Sequence, residues 1–178
     1  MDENDVTLTR AVHIGGMTKV ELLFALQQSG IQLNDIAKVL FAHQGFTTAE
    51  ARSVLKTVEV SVGELGHTHG ATIAEIFVSA AERGLSPCPL ELAGHFRLQF
   101  TDQPEGSLGY PPSEHRAPPG SLTIASTPLA ADGGAPMGFY LRRIRGALWL
   151  RGYRSPAEHI WDPGDRFVFC LQNTIAAP

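Results

Sequence analysis

Cysteine is scarce: Cys88 and Cys170 are the only two in the chain, too few for a disulfide scaffold. No apolar run reaches 18 residues, which excludes a membrane-spanning helix. Basic residues are missing where an export signal needs them. Asp2, Glu3 and Asp5 occupy the start, and no continuous apolar stretch follows. The expected compartment is the cytoplasm, where both thiols stay reduced. Several motifs are absent as well. There is no G-x-x-x-x-G-K-S/T phosphate loop and no G-x-G-x-x-G turn, and Gly15-Gly16 and Gly133-Gly134 lack the strand-to-helix context. G-x-S-x-G, C-x-x-C and H-E-x-x-H do not occur. These absences exclude a nucleotide motor, and no cofactor is expected.

What is present suffices for a folded core. The 178 residues are 43% hydrophobic, enough to bury a core without metal or disulfides. The expected fold is α+β, with N-terminal helices packed on a mainly antiparallel C-terminal sheet. Residues 1–16 read as a disordered extension, because Met17 directly precedes the capping box Thr18…Glu21. The alternative is an N-terminal strand over Val6 to Thr9. Residues 17–178 then form a single domain. Its first part, 17–85, is mainly helical: Val20, Leu23, Phe24 and Gln27 keep helical spacing up to Gly30. Asn34 caps a second helix carrying Ile36, Val39 and Leu40. Val54, Lys56, Val58, Val60 and Val62 alternate as a strand. A second capping box, Thr72…Glu75, opens a helix that Gly84 stops.

Over 86–178 the pattern is mainly β, interrupted by a long ordered loop at 102–136. Proline and glycine supply 12 of the 33 residues from Pro104 to Pro136, which no helix tolerates. Strands are expected at Ser121–Ala125, Phe139–Ile144, Ala147–Tyr153 and Arg166–Leu171. With no βαβ alternation, the strands should pair antiparallel. Charge divides along the chain: residues 1–136 carry 8 basic and 15 acidic side chains, residues 137–178 carry 6 and 3. The positive end permits an anionic partner but falls short of a nucleic-acid binder's footprint.

Three groups of residues are chemical candidates. Cys88 is a conceivable nucleophile, with His67, His69, His95 or His115 as base. Its proline neighbours offer no cation to lower the thiol pKa, so it reads as a buried structural thiol. Cys170 belongs to a core strand. His67 and His69 could give two zinc ligands, but nothing fixes the rest, and no metal is expected. Glu91, Asp102, Glu105 and Glu114 could supply acid and base or simply be solvated. The most informative segment is Phe139 to Tyr153. A two-residue turn at Arg145-Gly146 sets Ile144 opposite Ala147, Arg142 opposite Trp149 and Tyr140 opposite Arg151. Phe139, Leu141, Leu148 and Leu150 then face the core. Tyr140, Arg142, Trp149, Arg151 and Tyr153 share the other face. There, arginines between aromatic rings can hold a planar or anionic group, or stabilise a solvent face.

Further stretches carry a resemblance. They are Leu65-Gly66, Gly70 to Ile76, Gly84 to Leu92, Arg97 to Gln99, Asp102 to Gly106, Gly138 to Leu150, Trp161 and Arg166 to Phe169. Together, over about Met17 to Phe169, the chain resembles a family of small uncharacterised bacterial proteins that often bear the genome label "helicase". The resemblance implies no activity, and the missing phosphate loop speaks against that label. The reading that follows is a non-catalytic cytoplasmic binding or interaction module whose partner is a protein or a small anionic or planar ligand. Membrane is not expected, nor is nucleic acid. The alternatives are a small hydrolase or transferase using Cys88 or the acidic cluster, and a single-strand nucleic-acid binder using the arginine-aromatic face.

Overall fold

The computed structural model describes residues 8–107, 117–130 and 134–172. The protein is α+β, with four helices and an eight-stranded sheet among the described residues. In chain order the elements are β1 (Leu8–Ile14), α1 (Lys19–Gln28), β2 (Gln32–Leu33), α2 (Asp35–Ala42), β3 (Ser53–Ser61), α3 (Ile73–Glu82), β4 (Leu85–Ser86), α4 (Leu92–Gln99), β5 (Leu122–Ile124), β6 (Gly138–Ile144), β7 (Ala147–Tyr153) and β8 (Arg166–Leu171). Both capping boxes form. The Thr18 and Thr72 hydroxyls accept from the amides of Glu21 and Glu75, and each glutamate returns to the threonine amide at 2.8 Å. Asn34 caps α2 by accepting from the Ala37 amide at 2.9 Å.

The sheet is mixed rather than mainly antiparallel. Its order is β1-β3-β8-β5-β6-β7-β2, with β4 also on β8, and β5·β8 and β2·β7 run parallel. The reason lies in the connections. Hairpins force antiparallel neighbours, but β5 and β8 are separated in sequence by the β6–β7 hairpin and meet only when the chain returns. Nor does the sheet belong to the C-terminal half, since β1 to β4 all precede residue 90. Residues 86–178 also hold a helix, α4, between the prolines at 87 and 89 and the proline-rich stretch.

The expectation of a disordered extension over 1–16 is overturned for its described part. Residues 8 to 14 pair antiparallel with β3 along seven positions, from Leu8↔Glu59 to Ile14↔Ser53. Residues 1–7, which hold part of the alternative strand at Val6 to Thr9, lie outside the described residues. Alternation explains the pairing: Val12 and Ile14 turn inward and are buried, while their neighbours Ala11 and His13 are exposed on the other face. Gly15 and Gly16 make the sharp exit to α1, both in the left-handed region (φ 78° and 72°). A Cβ on Gly15 would stand 2.1 Å from the Ala51 carbonyl oxygen, so only glycine fits.

Both faces of the sheet are buried, as β8 demonstrates. Val168 and Cys170 belong to one apolar cluster with Leu22, Leu26, Leu40, Phe41, Leu92 and Phe96 of the helices α1, α2 and α4. Phe167 and Phe169 belong to a second cluster with Ile76 and Ala80 of α3. Adjacent strand residues point to opposite faces, so the two clusters flank the sheet. In the hairpin β6–β7, Leu141 and Leu150 enter the first cluster. Their neighbours Tyr140 and Arg151 therefore turn to the second face.

Removing residues 1–16 uncovers the β3 edge and deletes Val12 and Ile14 from the core. Starting the chain at Met17 is expected to cost about 3–6 kcal/mol, taking two fully buried aliphatic side chains as the upper measure. Urea denaturation of the two forms checks this; equal midpoints would show that β1 contributes nothing.

Candidate functional site

The hairpin has the register expected of its turn. Ile144 pairs with Ala147, Arg142 with Trp149 and Tyr140 with Arg151. Arg145 (φ 51°) and Gly146 (φ 77°) both take left-handed conformations, the twist that a two-residue hairpin turn requires. Phe139, Leu141 and Leu150 are fully buried, and Leu148 packs on the same core. Tyr140, Arg142, Trp149, Arg151 and Tyr153 share the opposite face, each half-buried.

Three of the five line a cleft of about 500 Å³: Tyr140, Arg151 and Tyr153. Its floor continues across the sheet to Thr123, which pairs with Tyr140. One end is the start of α2, where Asn34 and Ile36 contribute. The far wall is the β7–β8 connection, with Arg154, His159 and Trp161. The Arg151 Nε donates to the Tyr140 hydroxyl at 2.8 Å, and its guanidinium lies 5.0 Å from the centre of the Trp149 ring. Trp149 thus supports Arg151 without lining the cleft. Arg142 is engaged elsewhere: its Nη2 donates to the Ser107 carbonyl at 3.0 Å, and burial lowers its pKa from the ordinary value.

The aromatic residues form an edge-to-face series. Tyr140 meets Tyr153 at 6.3 Å, Tyr153 meets Trp161 at 5.8 Å and His159 meets Trp161 at 5.2 Å between ring centres. Burial pushes the Tyr153 phenol above its usual range, keeping it neutral. Trp161 is 5% exposed and its Nε1 has no hydrogen-bond partner among the described residues. The described residues lining the cleft include two arginines and no carboxylate. The start of a helix also carries the positive end of its dipole. The cleft thus combines two arginines with ring surfaces.

Asn34 holds this geometry in place. Besides capping α2, its Oδ1 accepts from the Gly152 amide at 2.8 Å and its Nδ2 donates to the Gly152 carbonyl at 3.0 Å. A Cβ on Gly152 would meet the Ala37 nitrogen at 2.7 Å, so glycine lets β7 approach the helix. Sequence reasoning missed Asn34's second role, as well as Thr123, Arg154 and His159. It noted Trp161 without placing it in a site. Residues 154–161 are irregular and carry no periodicity to reveal which side chains converge.

The other candidates do not converge. Cys88 is buried beside Cys170 (Sγ–Sγ 3.1 Å), and its thiol donates to the Val168 carbonyl at 3.6 Å. Burial pushes the Cys88 thiol well up, the reverse of an activated nucleophile. No histidine is hydrogen-bonded to it among the described residues. His67 contacts the Ser79 hydroxyl at 2.8 Å, and His69 the neighbouring Thr68 hydroxyl at 3.1 Å. The acidic group disperses. Glu91 is buried and accepts from the Ala49 amide at 3.1 Å, while Asp102 is exposed and Glu105 caps the hairpin turn through the Gly146 amide. His115 and Glu114 lie outside the described residues. No group of three or more His, Cys, Asp or Glu side chains among the described residues is placed to hold a metal ion, and no described helix is long and apolar enough to cross a membrane.

His95 and Glu91 form a buried pair on α4 (Nε2–Oε2 3.6 Å). The His95 Nε2 also accepts from the Gly15 amide at 3.3 Å, which ties α4 to the turn after β1. Burial lowers the His95 pKa from 6.5, outweighing the attraction of Glu91. No family model, curated protein or solved structure matches the chain.

Two measurements follow from these placements. Both thiols should resist a small alkylating reagent in native protein and react fully on unfolding; fast native labelling of Cys88 would reinstate it as a nucleophile. The second concerns pH. A histidine whose folded pKa is depressed binds fewer protons folded than unfolded, so stability is complete above 6.5 and falls as pH drops below it. His95→Gln should remove that part of the decline in urea midpoints measured between pH 7 and pH 5. An unchanged pH profile would contradict the assignment.

Proposed function

We propose that the protein is a non-catalytic binding module, working in the cytoplasm, whose cleft between the β6–β7 hairpin and the β7–β8 connection holds a small anionic or planar ligand. The observation that supports this most is the lining of the cleft. Arg151 and Arg154, the phenols of Tyr140 and Tyr153, and Trp161 surround one space with no carboxylate among its described lining residues. A concave site with an aromatic wall and a few placed polar groups is the usual form of a small-molecule site.

The enzymatic alternative has less support. Catalysis needs converging groups with suitable pKa values, whereas Cys88 is buried with a raised pKa and the carboxylates stand in separate surroundings. Single-stranded nucleic acid is followed along a positively charged groove. Here Arg142 is committed to the Ser107 carbonyl, and only Arg151 and Arg154 line the cleft among the described residues. The resemblance to a helicase-labelled family adds no activity to this reading.

Arg151→Ala should weaken binding of small aromatic carboxylates or phosphates about tenfold to a hundredfold, the range for a lost charge-assisted hydrogen bond. Stability should change by about 1 kcal/mol or less, because half-exposed charges contribute little to folding. Arg142→Ala, outside the cleft lining, should leave affinity nearly intact. Tryptophan fluorescence titration reads both. Undiminished binding by the Arg151 variant would sink the proposal.

A further inference from the structure

The two cysteines of the chain stand 82 residues apart in sequence and meet in the fold. Their sulfurs are 3.1 Å apart, inside one apolar cluster. The backbone around them is fixed. Ser86 of β4 pairs with Cys170 of β8, and Cys88 follows two residues later between Pro87 and Pro89. The Cys88 amide donates to the Ala125 carbonyl at 2.7 Å, and the Ala125 amide donates to the Val168 carbonyl at 2.9 Å. Cys88 is thus held against β8 from two directions, through β4 and through the end of β5. A disulfide needs its sulfurs about 2.05 Å apart, so the remaining approach is about 1 Å. That is the scale of side-chain rotation, not of backbone movement.

The position of the pair in the chain gives a bond there its consequence. All the described residues lining the cleft, except Asn34 and Ile36, lie between Cys88 and Cys170. A bond between the two sulfurs would close that segment at both ends. A cross-link over so long a span removes much freedom from the unfolded chain. No other cysteine competes, so oxidation has one intramolecular product.

We propose that Cys88 and Cys170 are a redox-dependent modification site, which a low-molecular-weight disulfide such as oxidised glutathione converts into a bond that staples the cleft-bearing segment. One protein thiolate attacks a sulfur of glutathione disulfide, breaks its S–S bond and releases one glutathione. The second attacks the resulting mixed disulfide and releases the other. The protein loses two hydrogens, and the oxidant becomes two thiols. Both cysteines are buried, so the exchange runs in opened or refolding chains, and the native fold then sets the equilibrium. A reducing compartment keeps the site as thiols; an oxidising shift closes it. This site is independent of what the cleft binds.

Equilibration of the full chain with mixtures of reduced and oxidised glutathione tests the proposal. It is done once in native buffer after refolding from urea, and once in concentrated urea. Acid quenching and mass spectrometry count the intramolecular disulfide, which lacks two hydrogens and carries no glutathione. Linkage requires the native state to favour the bond by the same factor with which the bond stabilises the fold. That factor is about thirtyfold to a thousandfold for a typical cross-link. The oxidised protein should accordingly unfold at higher urea than the reduced protein. Disulfide formation no greater in native buffer than in urea would overturn the proposal, because the native contact would then oppose the bond. In Cys88→Ala and Cys170→Ala, oxidised glutathione should leave the urea midpoint unraised. A rise equal to that of the unmodified sequence would also overturn it, by showing that the gain does not come from this bond. The comparison of native buffer with urea needs no variant, so it stands even where a variant folds poorly.

Discussion

The direction of β7 relative to β8 is the constraint from which the cleft follows. β7 is antiparallel to β6, β6 to β5, and β5 is parallel to β8, so β7 and β8 point the same way with two strands between them. A chain leaving β7 therefore cannot turn back beside it. It must cross a face of the sheet over β5 and β6, a connection of a dozen residues or so. Residues 154–165 make that crossing without a helix. They pass over the second face, where Trp161 joins Phe167 in the apolar cluster at 4.9 Å between rings. A helix there would fill the space above Thr123 and Tyr140. An extended segment anchored by one tryptophan leaves it open, and Arg154 and His159 reach it from the side.

The floor depends on register. A slip of one residue in β6–β7 would send Arg142 and Arg151 into the core and Leu141 and Leu150 out; the burial of those two leucines fixes the pairing, and the left-handed turn agrees with it. The hairpin is held from below by a buried arginine. Arg97 of α4 is fully buried and has no carboxylate partner among the described residues. It donates to the Gln103 side chain and to the Phe100 carbonyl. Burial first, then the proximity of Arg143, lowers its pKa to about 10, so it stays charged at neutral pH. Gln103 in turn donates to the carbonyls of Gly120 and Leu141 at 3.1 and 3.2 Å. That network joins α4, residues 100–107 and β6, and it delivers the Ser107 carbonyl to Arg142.

How much of this could be read from sequence depends on the range of the interaction. Helix starts were legible because a capping box is a contact over three residues, as at Thr18 and Thr72. The hairpin was legible for the same reason: its turn and alternation are local, and they named Tyr140, Arg151 and Tyr153 as neighbours. β1 was not legible. Its acidic leader and the second methionine suggested an extension, whereas what makes it a strand is the edge of β3, 39 to 51 residues away. α4 was hidden between prolines and broken in pattern by Gly94, His95 and Arg97, all buried. Gly94 is small because a Cβ there would meet the Leu22 side chain at 2.9 Å, a tertiary reason that no window of sequence contains. The parallel β5·β8 contact followed from where β8 inserts, between β3 and β5, and local patterning does not encode strand order.

Trp161 is the point where core and cleft make opposite demands. Its ring packs in the second cluster with Tyr153 and Phe167, which favours burial, yet burial without a partner for the indole N–H costs about 1–3 kcal/mol. Other buried nitrogens without partners among the described residues are the Nε atoms of Arg10, Arg97, Arg142 and Arg143; in the last three a terminal nitrogen donates to an oxygen, and Arg10 lies over the Phe100 ring at 4.0 Å. An indole has one donor, and leaving it unmet forfeits all of its polar capacity. Phenylalanine would pack a similar ring in this position without that loss. The unmet indole donor is therefore a cost that ring packing alone does not explain.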